Sequence, residues 1–254
     1  PEYPGAQQPE DIRPPSVAAF NALTAAGPVR MITLAPEQPG GHELVQAVTA
    51  AGVTAVIGHT SATYAEAIAA FDVGVSQATH TYNAMTGLHH RRPGTLGAVM
   101  TDDRVFAQLI ADNVHVHPAA MDVLARCKGP ARIVLITDAM RAAGLPEGDY
   151  ELGGQPVTVR GGQCRLADGT LAGSVLTLDR ALVNLMHATG WSLADAWPTT
   201  SRTPVTSIGL ADQLGSIRPG YLADLVLLDE AYEVVATIVG GQIAYLRDPA
   251  RLDS

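Results

Sequence analysis

"VTAVIGHTSATYAEAIAAFDVGVSQATHTYNAM" covers residues 53–85 and contains one complete strand–helix–strand unit. "VTAVIG" (53–58) is a β-rich apolar run. "SATYAEAIAAFDVG" (61–74) carries Ala65, Ile68, Ala69 and Phe71 at near-helical spacing, with Ser61 as candidate N-cap. "VSQAT" (75–79) is β-rich again. Two strands joined through a helix run parallel. Both runs stop at a histidine, His59 and His80, and Tyr82 and Asn83 follow the second. A polar cluster closing an apolar run is either the start of a loop or a site, and this stretch alone leaves both readings open for His80.

The same rhythm continues on both sides. "VRMITLA" (29–35) reads as a strand and "GHELVQAVTAAG" (41–52) as a helix. "VFAQLIAD" (105–112) is a strand after a long loop. "PAAMDVLARCKG" (118–129) opens on proline and closes on glycine, the helix asymmetry. "ARIVLITD" (131–138) is nearly all apolar, as in a parallel strand covered on both faces. "SVLTLDRALVNLMHATG" (174–190) is amphipathic, with Val175, Leu178, Leu182, Leu185 and Met186 on one face. Ionisable residues follow four strands in succession: His59, His80, Asp112 with His115, and Asp138. In a (β/α)8 barrel such strand ends converge on one mouth, whereas a doubly wound sheet places its site at one switch point. No glycine-rich phosphate loop occurs. The expected fold is therefore α/β, a (β/α)8 TIM-type barrel of which this chain carries five strand units, so three are expected before Pro1. The tail, with "LADLVLLD", "VVATIV" and a "GG" turn at 240–241 before "QIAYL", reads as a small flanking β-sandwich element. The expected division is a barrel part at 1–210 and a β element at 211–254.

The 254 residues are 47% hydrophobic and 16% charged, enough for a packed core. A net charge of −9 argues against a general nucleic-acid surface, while one local arginine still suffices for a small anion. No apolar run of about 18–20 residues exists for a membrane helix, and no signal peptide is evident. Cys127 and Cys164 form no disulfide framework or CxxC pattern, which places the chain in a reduced, cytoplasmic setting.

His59 and His80 end consecutive parallel strands, so their rings can converge to metal-ligand distance, although each alone fits a structural residue equally well. Imidazole suits divalent zinc, iron, cobalt or nickel, and a catalytic zinc site takes three protein ligands. Asp138 is either a loop cap or a general base on metal-activated water. In "HVH" (115–117) a strand would put both rings on one side, able to chelate a metal, but Pro118 follows at once, which assigns His117 to the helix start and leaves His115 as a hydrogen-bond donor to substrate. "GLHHRRPG" (87–94) is a solvated loop or an anion clamp. "GTLAGS" (169–174) is a glycine-rich turn that lines a ligand or caps a helix through Ser174.

These stretches together resemble one family, the N-acetylglucosamine-6-phosphate deacetylases of the amidohydrolase superfamily. "LAPE" (34–37), "GHTSAT" (58–63), "ATHTYNAM" (78–85), "GLHHRRPG", "ADNVHV" (111–116), "ITDAM" (136–140), "LAGS" (171–174) and "LGSIRPGYLADLVLLD" (214–229) occur in the family's order across nearly the whole chain. The resemblance implies a metal-dependent barrel that deacetylates N-acetylglucosamine-6-phosphate to glucosamine-6-phosphate and acetate, in amino-sugar catabolism or cell-wall recycling, and a homodimer with neither nucleic-acid nor membrane partners. It implies His59 and His80 as metal ligands, zinc first and iron, cobalt or nickel as alternatives, and Asp138 as acid and base. His115 would bond the acetyl carbonyl. Asn83, Ala84 and Arg91 would hold the phosphate, while Asp112 to His115 and Leu171, Ala172 and Gly173 would line the sugar. Two departures stand out. The family's third metal ligand, a glutamate, would fall before Pro1. A substrate-binding histidine of the family is Gln7 here, in "PGAQQP" (4–9), and it can donate a hydrogen bond but carry no charge. Set against this reading are another amidohydrolase acting on a cyclic amide or dipeptide, and a catalytically incomplete sugar-phosphate-binding chain.

Overall fold

A computed structural model describes residues 2–248. Its frame is an all-parallel sheet of β1 (Met31–Leu34), β2 (Thr54–Ile57), β3 (Val75–Ala78), β4 (Phe106–Ile110) and β5 (Ile133–Ile136), ordered β1-β2-β3-β4-β5. Strand order follows chain order without reversal, so there is no switch point and the sheet is one arc of a singly wound barrel. Strand β4 is buried at every residue, which matches its uninterrupted apolar run.

The connecting helices are α1 (Val17–Ala26), α2 (Gly41–Ala50), α3 (Tyr64–Asp72), α4 (Gly94–Thr101) and α5 (Pro118–Lys128). Helix α3 starts later than its sequence suggests. Thr63, not Ser61, is its N-cap, and a reciprocal capping box with Glu66 closes the first turn. Ala67, Ala70 and Phe71 are its buried residues, while Ala65 faces solvent. Helix α4 occupies what read as a continuous loop, because Gly94 and Gly97 mask its helical periodicity. Both glycines are needed there: a Cβ on Gly94 would lie 2.8 Å from the Gly87 carbonyl oxygen, and one on Gly97 2.4 Å from Pro93.

After β5 comes an antiparallel sheet that the sequence reading missed: β6 (Gly148–Leu152), β7 (Gln155–Arg160), β8 (Gln163–Arg165) and β9 (Leu171–Ser174). It has its own small core of Met140, Ala142, Val157, Val159, Cys164 and Ala172. The "LAGS" stretch is strand β9 and not a helix cap. Helices α6 (Leu178–Thr189), α7 (Leu193–Ala196) and α8 (Arg202–Ser207) follow, and α6 buries Ala181, Leu182 and Leu185. The tail forms a separate antiparallel sheet of β10 (Leu225–Leu228), β11 (Val234–Val239) and β12 (Gln242–Leu246). Gly240 and Gly241, at φ 56° and 80°, make the β11–β12 turn left-handed at both positions, as a type I′ hairpin demands.

Lys128 ends α5 and is buried, its ammonium donating to the carbonyls of Val99 at 2.9 Å and Asp102 at 2.6 Å. It thereby satisfies the open C-terminus of α4. Burial lowers its pKa from 10.5 to about 8. The unfolded chain then holds this proton up to a higher pH than the folded one, so the burial cost is present in full below about pH 8 and fades as the pH rises toward 10.5. Urea unfolding of wild type and Lys128→Met at pH 7.5 and 9.5 is expected to show the wild type gaining about 1–2 kcal/mol over the variant across that interval. A constant difference would mean that the amine titrates normally.

Candidate active site at the strand ends

The parallel ladder runs past the strands and grips the residues around each histidine. Gly58 N–H donates to Leu34, Thr79 N–H to Ile57 and Thr81 N–H to Gln108. Between these tethered neighbours the chain is forced into the left-handed region. His59 has φ 48°, His80 27°, Asn113 65° and Asp138 50°, so each of four consecutive strands, β2 to β5, is followed by a non-glycine residue at positive φ. Such residues cost about 1–3 kcal/mol each and persist only where their surroundings over-determine them. Tyr82 and Ala84 are left-handed too, giving the loop after β3 this conformation at 80, 82 and 84.

The strained backbone brings the two imidazoles together edge to face, with Nε2 of His59 3.0 Å from Nε2 of His80 and ring planes at 80°. Each Nδ1 faces a backbone carbonyl, Tyr3 at 2.9 Å for His59 and Asn83 at 3.2 Å for His80. A carbonyl only accepts, so both Nδ1 atoms carry the proton and both Nε2 atoms present lone pairs to each other. Two facing lone pairs repel unless a cation lies between them, which is the tautomer and second-shell pattern of metal-binding histidines. Burial holds His80 below its ordinary pKa, with His59 adding to the shift and Asp138 opposing it, so the neutral ligand form is favoured. The donor set fits a divalent metal. Among the described residues no group of three His, Cys, Asp or Glu side chains surrounds one point, so these two supply the ligands seen.

Asp138 follows β5, and its conformation is fixed by β9: its carbonyl accepts from Ser174 N–H at 2.8 Å, and Ser174 accepts from Met140 N–H at 2.9 Å. His115 is held by Asp112. One carboxylate oxygen takes Nδ1 of the ring at 2.6 Å, and the other takes the N–H groups of Val114 and His115 at 2.9 and 2.7 Å. The two side chains are only 8% and 10% exposed. Burial raises the Asp112 carboxyl, yet the hydrogen bonds from His115 and Val114 outweigh it and hold the group below its ordinary range.

His59, His80, His115, Asp138, Asn83, Ala84, Gln7, Leu171 and Gly173 all line one cavity of about 630 Å³. Asp112, Asn113, Val114, Ala172 and Arg91, also predicted at the site, do not line it. Asp112 acts behind His115. Ala172 points into the small core of the inserted sheet, because Leu171 and Gly173 alternate with it on β9. Arg91 is exposed at the tip of a tight turn closed by His89 and Arg92, with its guanidinium 2.7 Å from His90 Nε2. Among the described residues lining the cavity there is no lysine or arginine. The sequence reading gave no role to Tyr3, whose carbonyl orients His59, or to Glu37. The latter follows β1 and so belongs to the same series of ionisable strand ends, the signal that was there to be used.

A cavity at the carboxyl ends of parallel strands, lined by paired histidines and an aspartate, is the mouth of a barrel-type fold. Residues 23–244 match the model of the amidohydrolase family, and the chain belongs to that family. Among its relatives, it is 43% identical over 246 residues to the N-acetylgalactosamine-6-phosphate deacetylase of Escherichia coli O157:H7, covering 96% of this chain and 65% of that protein. It is 40% identical over 252 residues to the N-acetylglucosamine-6-phosphate deacetylase of Bacillus subtilis, covering 98% and 64%. A solved structure of a variant of the Mycobacterium smegmatis N-acetyl-D-glucosamine-6-phosphate deacetylase, in complex with N-acetyl-D-glucosamine-6-phosphate, superposes with a TM-score of 0.90 at 36% identity, covering 94% of this chain and 64% of that one. The chain thus spans just under two thirds of the length of these relatives.

Gly58 sits where the β2 end passes under β3, and a Cβ there would lie 2.0 Å from Thr79 Cγ2 and 3.0 Å from Thr33 Cγ2. Gly58→Ala is expected to lower the free energy of unfolding by about 1–3 kcal/mol, as overpacking does. Chemical denaturation would measure it, and a variant as stable as wild type would show that the two strand ends can move apart.

Proposed function

We propose that the protein carrying this chain hydrolyses the acetamide of N-acetylglucosamine-6-phosphate, giving glucosamine-6-phosphate and acetate. The observation that carries this reading is the facing pair of Nε2 atoms, 3.0 Å apart, in a cavity shared with Asp138 and His115. His59 and His80 would hold a divalent cation, zinc first, with iron, cobalt or nickel as alternatives. When bound, the cation polarises the acetamide carbonyl and acidifies the attacking water. The Asp138 carboxylate takes the proton from that water and returns it to the leaving amine. His115 stabilises the oxygen on which charge develops. Asp112 takes Nδ1 of the ring at 2.6 Å and so fixes its orientation for this role. Leu171 and Gly173 line the sugar, and Gln7 offers it a neutral amide. Asn83 and Ala84, which line the same cavity in the loop after β3, take the phosphate end. Arg91 lies outside the cavity of its own chain, so its contribution to phosphate binding comes from a second copy in a homodimer.

Residues 1–210 form the hydrolytic unit and 211–254 the small β element, of which 249–254 lie outside the described residues. Among the described residues no helix is long and apolar enough to cross a membrane. Cys127 and Cys164 are both free thiols, which supports a cytoplasmic setting. A second substrate reading is favoured by one observation, the 43% identity to an N-acetylgalactosamine-6-phosphate deacetylase. The two sugars differ only in configuration at C4, so one hydrolytic centre can serve either.

Acetate release from both sugar phosphates and from unphosphorylated N-acetylglucosamine, by the full-length protein with zinc or cobalt, tests the proposal. Preference for a phosphorylated sugar is expected, and equal turnover of the unphosphorylated one refutes the phosphate assignment. Asp138→Asn is expected to lower kcat by about 10²–10⁴-fold, with little change in melting temperature, because asparagine tolerates the left-handed backbone. Retained activity refutes Asp138 as the base. Asp112→Asn is expected to lower kcat by about 10²-fold through His115, read from the rate at saturating substrate; an unchanged rate would separate the Asp112–His115 pair from the chemistry.

A further inference from the structure

We propose that Glu37 is a positioning residue for His59, holding the segment after the histidine so that its Nε2 stays aimed at His80; this rests on the reading of His59 as a metal ligand. Glu37 lies in the turn after β1, half-buried, and its carboxylate reaches across to the two residues that follow His59. One oxygen accepts from the Thr60 hydroxyl at 2.6 Å. The other accepts from Ser61 N–H at 2.8 Å and from the Ser61 hydroxyl at 3.2 Å. Thr60, fully buried, passes the constraint on: its Oγ1 accepts from Ala62 N–H at 3.1 Å, and its own N–H donates to the Ala84 carbonyl at 3.1 Å. The segment after His59 is thus tied on one side to Glu37 and on the other to the loop that carries His80.

The energetic reason for a carboxylate is the left-handed backbone of His59. Its strain must be over-determined by what surrounds it. On the preceding side Gly58 is wedged against Thr79 and Thr33. On the following side three hydrogen bonds to one anion do the equivalent work, and charge-assisted bonds are about twice as strong as neutral ones. Three donors converge on two oxygens, and a carboxylate accepts all three with its charge. Glutamine offers a single accepting oxygen and no charge, so at best one of the three bonds is reversed, with the Thr60 hydroxyl accepting, and all three become neutral and weaker. With that clamp weakened the backbone relaxes toward negative φ, and the His59 ring swings away from His80.

The test uses cobalt(II) bound to the full-length protein, with affinity from chelator competition and ligand geometry from the visible d–d bands. Glu37→Gln is expected to lower cobalt affinity about 10–100-fold and to change the band shape, with Glu37→Asp intermediate in both. Glu66→Ala is the control. It removes the capping box of α3 just beyond the same segment, so it is expected to lower the melting temperature while leaving affinity and spectrum at wild-type values. His59→Ala is the reference for the ligand assignment. If His59→Ala keeps wild-type affinity, the assignment falls and the role of Glu37 with it. If His59→Ala loses cobalt but Glu37→Gln and Glu37→Asp keep wild-type affinity and bands, the positioning role alone is overturned. Equal loss of affinity in Glu66→Ala would reduce the Glu37 effect to general loosening and overturn it as well.

Discussion

Two imidazole nitrogens with their lone pairs turned on each other at 3.0 Å are an arrangement that a protein does not adopt by default. Each ring has been committed to it by a backbone carbonyl that claims the Nδ1 proton, and each histidine sits at a positive φ that its side chain disfavours. The rest of the strand-end architecture answers to this constraint. The β-ladder continues through Gly58, Thr79 and Thr81, and the two histidine loops are joined where Thr60 N–H meets the Ala84 carbonyl. Strain at four successive strand ends is sustained by a sheet whose strand β4 is wholly buried and cannot shift to relieve it.

The antiparallel sheet inserted after β5 has a part in this as well. Strand β9 docks on the segment after Asp138, and its Ser174 bonds both the Asp138 carbonyl and Met140 N–H. The turn between β6 and β7 reaches the N-terminal loop, where the Gln155 amide donates to the Ala6 carbonyl at 2.7 Å and the Gln8 amide donates to Gly153. That loop in turn carries Gln7 into the cavity, while the Tyr3 carbonyl orients His59. An element far along the chain therefore closes one wall and fixes the general-base candidate at once.

The parallel strands were legible because uninterrupted apolar runs report burial on both faces, and the strand-end residues His59, His80, His115 and Asp138 were found from that rhythm alone. The inserted sheet was not, because β6 to β9 are short, half-exposed and separated by glycine turns at 153–154 and 161–162, so their alternation reads as loop. Helix α4 was lost for a different reason, since close packing imposed glycines on it where a helix would normally show a side-chain pattern. The left-handed φ of His59, His80 and Asp138 left no trace either. Glycine or asparagine would have announced it, but these positions are set by chemistry and the conformation is imposed by tertiary contacts. Ala172 shows the converse limit: a motif match cannot tell which of two neighbouring strand residues faces the ligand.

Charge separates the two halves of the proposed substrate. The groups proposed for the hydrolysis stand at strand ends of this chain, whereas among the described residues no lysine or arginine lines their cavity. A phosphate dianion in a cavity lined only by neutral donors, histidines and carboxylates would be incompletely compensated, because backbone N–H groups share its charge without neutralising it. The concentrated basic turn at 89–92 sits on the outside of a chain of net charge −9, where its own cavity gains nothing from it. Such a turn stabilises the dianion only if another copy presents it to the cavity.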